Sequence, residues 1–203
     1  MANNADDTPD YANLFALVDK QNIHGLNIAI PESARNVIKP WDARDSTDIY
    51  TESNVDDQLI LHIPFLESVR LKSILIKTGR GDLAPSKLDV YVNRPTIVDF
   101  ADAESGNVKP KMEVALRVDE PGVIEYPVKV TAFGSVNALS LFFKDSEGGD
   151  VSRVYYVGFK GDPRTIRAAG TSALEVPVPG SAEAKLVDRA KSKSGAGQQT
   201  TAR

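Results

Sequence analysis

Between Gly25 and Gly161 the chain is a succession of short apolar runs cut by Pro, Gly, Asn and Asp. This rhythm constrains the fold more than any other feature. The clearest runs are LILHIPF (59–65), VRLKSILIKT (69–78), KLDVYV (87–92), NALSLFF (137–143) and SRVYYVGFK (152–160). Shorter ones surround Ile49, Val114 and Tyr126. In 59–65, Leu59, Leu61, Ile63 and Phe65 fall on one face at period two, as in a strand with one side in the core. In 69–78, Ile74 and Ile76 share a face while Leu71 and Leu75 take the other, which marks a central strand covered on both sides. About eight short strands with almost no helix between them predict an all-β, antiparallel sandwich or jelly roll over roughly residues 23–162. Its core is expected to hold Leu61, Ile63, Ile74, Ile76, Val90, Leu141 and Val157.

The ends read differently. Residues 1–9 are small, polar and acidic and are expected to form a disordered leader. In DYANLFALVDK, Leu14, Leu17 and Val18 are spaced for one face of a short N-terminal helix, with Asp10 as its cap. After Gly161 the composition drifts to Ala, Pro, Gly, Ser and Lys. A flexible basic tail is expected over 169–203, in which AEAKLVDRAKSK is at most a marginal helix. The stretch 95–110 is either a long loop or contains a helical turn near Asp99 to Glu104.

Composition removes whole classes of function. The 203 residues include no cysteine, so disulfides, zinc thiolates and thiol redox chemistry are excluded. The net charge is −4, but residues 1–163 carry 17 Lys/Arg against 25 Asp/Glu, and the basic excess lies beyond them. An acidic body argues against binding a phosphate backbone, so no nucleic-acid partner is expected. The N-terminus lacks the basic and apolar blocks of a signal peptide, and no apolar stretch is long enough for a membrane helix. The expected location is therefore cytoplasmic, with the nucleus open.

Candidate chemistry is sparse. In SNVDDQLILHIPF, the adjacent Asp56 and Asp57 lead into the run that carries His62. Consecutive side chains of an extended segment point opposite ways, so the two acids are poor partners for catalysis. SNVDD also lacks the spacing and glycine of a calcium loop. A solvated loop feeding a buried strand is the expectation. His62 is read as a half-buried structural residue, and His24 as part of a turn before Gly25. Two histidines without a carboxylate pattern predict no metal site. Neither GxSxG nor SxxK is present. TGRGDL (78–83) lacks the GKS or GKT ending of a phosphate loop and is read as a turn between strands. No catalytic residue and no cofactor are expected. Trp41, in VIKPWDAR, either closes one end of the core or anchors a partner, with the core preferred. Tyr155, in RVYYVGFKGD, lies on a strand with aromatic residues on both faces.

In order along the chain, NVIKPWDARDS, YTESNVDDQLILHIPF, VRLKSILIK, LDVYVNRP and VYYVGFKGD resemble the PITH domain, the proteasome-interacting thioredoxin domain. The resemblance runs from about Leu14 to Arg167 and places that domain at 10–168. It implies a galactose-binding-like jelly roll and association with the 26S proteasome. The thioredoxin-like proteins that carry this domain also have a redox domain. This sequence has no CxxC, and it looks like the stand-alone type. The resemblance implies a non-catalytic interaction module. A monomer is expected, and Trp41, Asp56, Asp57 and Tyr155 are the candidate partner-binding residues. A small-ligand or carbohydrate-binding sandwich is the alternative.

Overall fold

The computed structural model describes residues 13–146 and 148–164. The expected leader, the Asp10 cap and the C-terminal tail lie outside them. Eight strands form one antiparallel hydrogen-bonded network: β1 (His24–Leu26), β2 (Thr51–Glu52), β3 (Leu59–Thr78), β4 (Pro85–Val92), β5 (Met112–Ala115), β6 (Ile124–Pro127), β7 (Val136–Ser146) and β8 (Arg153–Pro163).

The runs 59–65 and 69–78 are not two strands but one, β3, which spans 20 residues. Its first half lies between β1 and β7, and its second half between β6 and β8. β4 and β5 extend the first layer, and β2 the second. Pairing with β7 is irregular between Pro64 and Val69, where the strand passes from one layer to the other. A strand that changes sheets at an irregularity is how the corner of a sandwich is made. One apolar core lies between the layers. All seven residues expected there are buried in it.

Two bulges correct the period-two reading. The β3–β8 register shifts between Leu71 and Ser73. An extra residue returns Leu71 to the core face with Ile74 and Ile76, although alternation had assigned it to Leu75's side. A second shift, at Lys77/Thr78, skips Tyr155. It lets Val154 and Val157 both enter the core while Tyr156 is buried on the other face. The Tyr156 ring lies against Gly158, where a Cβ would sit 2.4 Å from the phenol oxygen.

The expected N-terminal helix is replaced by two short 3-10 turns, Phe15–Leu17 and Lys20–Asn22. The cause is competition for the backbone. Leu14 N–H donates to Phe159 C=O and Asp19 N–H to Pro64 C=O, so these groups cannot continue a helical ladder. Leu14 and Val18 are still buried, on the sandwich rather than on a helix face. His24 lies in β1, not in a turn. The open question at 95–110 resolves into a one-turn helix, α1 (Phe100–Glu104), capped by Asp99, whose carboxylate accepts from Asp102 N–H at 2.7 Å. Ile97, Val98 and Phe100 cover Ile60, Tyr91 and Phe142 on the outer face of the first layer.

Candidate functional site

A concavity of about 700 Å³ opens over the outer face of the second layer. Its floor includes Leu75 of β3 and Lys160 of β8, one wall is β6, and the segment containing Trp41 and Arg44 overhangs it. That segment is held down by two buried lysines. Lys77 Nζ donates to Asp45 C=O at 2.6 Å, and Lys39 Nζ to the carbonyls of Ser46 and Ile49 at 2.9 and 2.6 Å. Burial, and the charge of Lys77, push the Lys39 amine below its ordinary value. Desolvated ammonium groups bonded to carbonyls make this loop a fixed wall rather than a loose one.

Trp41 opens a 3-10 turn (Trp41–Ala43) after Pro40. It is half-buried at the cleft and outside the core, contrary to the preferred expectation. The Arg44 guanidinium stacks over its ring at 4.1 Å and donates to the Trp41 C=O at 3.0 Å. The Lys160 amine is 5.9 Å from the ring centroid and pairs with Glu125 at 2.6 Å. Glu125 also accepts from Ser73 Oγ at 2.6 Å. Its carboxyl lies below the usual range although burial opposes this, because Lys160 and Ser73 both stabilise the charged form. Arg117 and Glu120 complete the rim. The cleft thus offers one aromatic anchor among charges of both signs.

The four sequence candidates do not converge. Neither aspartate nor Tyr155 lines the Trp41 cleft. Tyr155 stands edge-on to Tyr50, with ring centroids 6.0 Å apart, and Arg153 stacks on Tyr50 at 4.1 Å. Tyr50 borders a smaller hollow with the exposed Ile30 and Ile49. Asp56 and Asp57 diverge, as their adjacency requires. Asp56 accepts from Asn27 Nδ2 at 2.6 Å and from Gln58 N–H at 3.0 Å, while Asp57 accepts from Ser146 N–H at 2.6 Å. Asn27 is itself in the left-handed region, with φ at 53°, and donates a second bond to Gln58 C=O. The acidic pair is therefore a double latch, joining the β2–β3 loop to the β1 end and to β7. Reversing both charges, Asp56→Lys with Asp57→Lys, is expected to lower stability by about 0.5–1.5 kcal/mol, since the bonds lost are exposed or part-buried and water satisfies much of what they release. Urea denaturation reads this directly. An unchanged midpoint would mean the latches carry no weight.

The residues that sequence reasoning missed are Arg44, Lys160 and Glu125. Arg44 had a local signal, since it follows Trp41 by three positions on a helical turn. Lys160 and Glu125 had none, because they meet only through β3, where Ser73 registers with Lys160.

His62 is buried to 9 % exposure, with Nδ1 3.0 Å from Ser140 Oγ, and faces His24 across the strand pair. Burial first, and the neighbouring imidazole second, hold its pKa below 6.5. The unfolded chain therefore binds more protons below pH 6.5, so stability is retained above that value and falls as the pH drops through it. Melting temperatures measured from about pH 7.5 to 5.5 should decline, and less so in His62→Gln. Equal slopes for the two proteins would refute the assignment. Glu125 does not confuse this window, because its contribution is lost only below its ordinary carboxylate range.

No helix among the described residues is long and apolar enough to cross a membrane. Among the same residues, no group of three or more His, Cys, Asp or Glu side chains is placed to hold a metal ion.

Known proteins resemble this sequence. The PITH domain family matches residues 4–177. A PITH domain-containing protein of Drosophila melanogaster, CG6153, is 36 % identical over 149 residues, covering 73 % of this chain and 69 % of that one. One from Schizosaccharomyces pombe, P35G2.02, is 36 % identical, covering 74 % and 76 %. Human PITH domain-containing protein 1 is 32 % identical, covering 76 % and 71 %. Among solved structures, a fucolectin from striped bass has a TM-score of 0.48 at 17 % identity, covering 75 % of this chain and 50 % of that one. At that distance no ligand is carried over. The ordered sequence blocks, the extent of the family match and these full-domain relatives together place the chain in the PITH domain family.

Proposed function

We propose that this protein is a non-catalytic interaction module that docks, as a monomer, on the 26S proteasome or a regulatory complex attached to it, in the cytoplasm and nucleus. The observation that carries this reading is membership of the PITH domain family, which supports a protein-interaction role. The Trp41 cleft is the contact surface. Trp and Arg are the residues most enriched at the energetic centre of interfaces, and here they are stacked on each other beside a rigid, lysine-anchored wall. Asp56 and Asp57 act on binding only through the fold, and Tyr155 borders the surface at most from the side. The carbohydrate reading is weaker for a physical reason: the Arg44 guanidinium already covers the Trp41 ring, which limits stacking of a sugar.

The test is a pull-down of the tagged protein from cell extract at low salt, followed by mass spectrometry. Proteasome subunits should be enriched. Recovery should fall as salt rises from roughly 50 to 300 mM, because an acidic body steers partners over distances that salt screens. Enrichment of glycans or of an unrelated complex, without proteasome subunits, would defeat the proposal.

A further inference from the structure

His24 and His62 are the chain's only histidines, and they sit in register on β1 and β3. Their ring centroids are 5.0 Å apart, with the planes inclined by 43°. Nothing in the sequence brings them together; the pairing of β1 with β3 does. Among the described residues neither ring forms an ion pair. Each instead engages its Nδ1. His24 Nδ1 is 3.0 Å from the Asn22 carbonyl oxygen, and His62 Nδ1 is 3.0 Å from Ser140 Oγ.

A carbonyl oxygen can only accept, so neutral His24 carries its proton on Nδ1 and keeps a lone pair on Nε2. Ser140 accepts as readily as it donates and allows His62 the same tautomer. An imidazole that donates from one nitrogen and leaves the other free is the arrangement found at metal-ligating histidines. Neither Nε2 has a hydrogen-bond partner among the described residues. The His62 Nε2 is also not sealed off. The buried side-chain atoms without a partner there are Tyr91 Oη and Ser152 Oγ. Two nitrogens sharing one ion at bond lengths of about 2.0–2.1 Å lie roughly 3.3 Å apart in tetrahedral geometry. Ring centroids 5.0 Å apart are compatible with that spacing once both Nε2 atoms are turned toward one ion. His24 is exposed, so the ion's remaining positions are open to water.

We propose that the His24–His62 pair is a site for a divalent transition-metal ion of the zinc or nickel type, held by both Nε2 atoms, with its remaining positions taken by water. Imidazole suits these ions, whereas magnesium and calcium require oxygen ligands. A bound ion would cross-link the three-residue β1 to β3 and fasten the N-terminal segment to the sandwich. The inference stands on the strand register and is independent of the proteasome reading.

Untagged, metal-free protein is titrated with Zn²⁺ and with Ni²⁺ by calorimetry, and the two imidazole signals are followed by NMR. The chain has no cysteine and no third histidine, so nothing else in it offers a thiolate or imidazole ligand. One-to-one binding is expected, with both imidazoles shifting together, a higher melting temperature and competition by protons as the pH falls. His24→Ala, at an exposed position, should abolish it. Ser140→Ala should weaken it about 10-fold or more, since it releases the bond that orients His62. Absence of saturable binding would overturn the proposal. So would binding that survives His24→Ala, or that Mg²⁺ displaces as well as Zn²⁺ does, because either places the ion on carboxylates.

Discussion

Truncating Leu61 to alanine is expected to cost about 2–5 kcal/mol of folding stability. Leu61 is fully buried in β3, flanked in register by Gly25 of β1 and Leu141 of β7. The surrounding strands are fixed by pairing on both sides, so they cannot collapse into the space left behind, and a cavity term adds to the lost transfer energy. For a domain of this size the melting temperature should fall by roughly 5–15 °C. Leu66→Ala, on the same strand but 65 % exposed, should change stability by no more than about 0.5 kcal/mol. Urea denaturation of the two variants reads the contrast. Near-equal midpoints would show that the first half of β3 is not the centre of the core.

Trp41→Ala is expected to weaken proteasome association by about 30-fold or more, corresponding to at least 2 kcal/mol at an interface centre. Its cost to folding should be small, because Trp41 is half-buried and outside the core clusters. Trp41→Phe, which keeps an aromatic face for Arg44, should retain part of the affinity. The measurement is a binding titration against purified 26S proteasome, with melting temperature recorded for each variant. Unaltered affinity in Trp41→Ala would move the interface away from this cleft.

Much of the architecture was legible in the chain. Period-two runs bounded by turn residues gave the strands and the core, because one face of a sheet must leave water and the pleat repeats every second residue. Leu61, Ile63 and Leu141 were identifiable for that reason. The same logic fails at a bulge. Leu71 and Tyr155 fall out of the alternation because an extra residue reverses every face beyond it, and both bulges lie in the β3–β8 pairing. Helical spacing at Leu14, Leu17 and Val18 was real but was overridden, since β8 and β3 claimed the backbone groups a helix would have used.

The site was less legible than the fold. Trp41 was visible as a lone large aromatic beside a proline. What surrounds it was not, because Lys160 and Glu125 are distant in sequence and Lys77 reaches the Trp41 segment from a strand. Asp56 and Asp57 were legible along the chain as poor partners for each other in a solvated loop, but what each one holds was not. Their hydrogen bonds run to Asn27 and Ser146, on opposite sides of the loop. By itself the sequence determined the local quantities: strand periodicity, the absence of thiol chemistry, the charge of the body, and the ordered motifs of the PITH domain. Tertiary structure alone decided which distant side chains meet: Arg44 with Lys160 around Trp41, and His24 with His62. Such meetings depend on strand order and register, which are set by the packing of the whole core rather than by any segment's own preference.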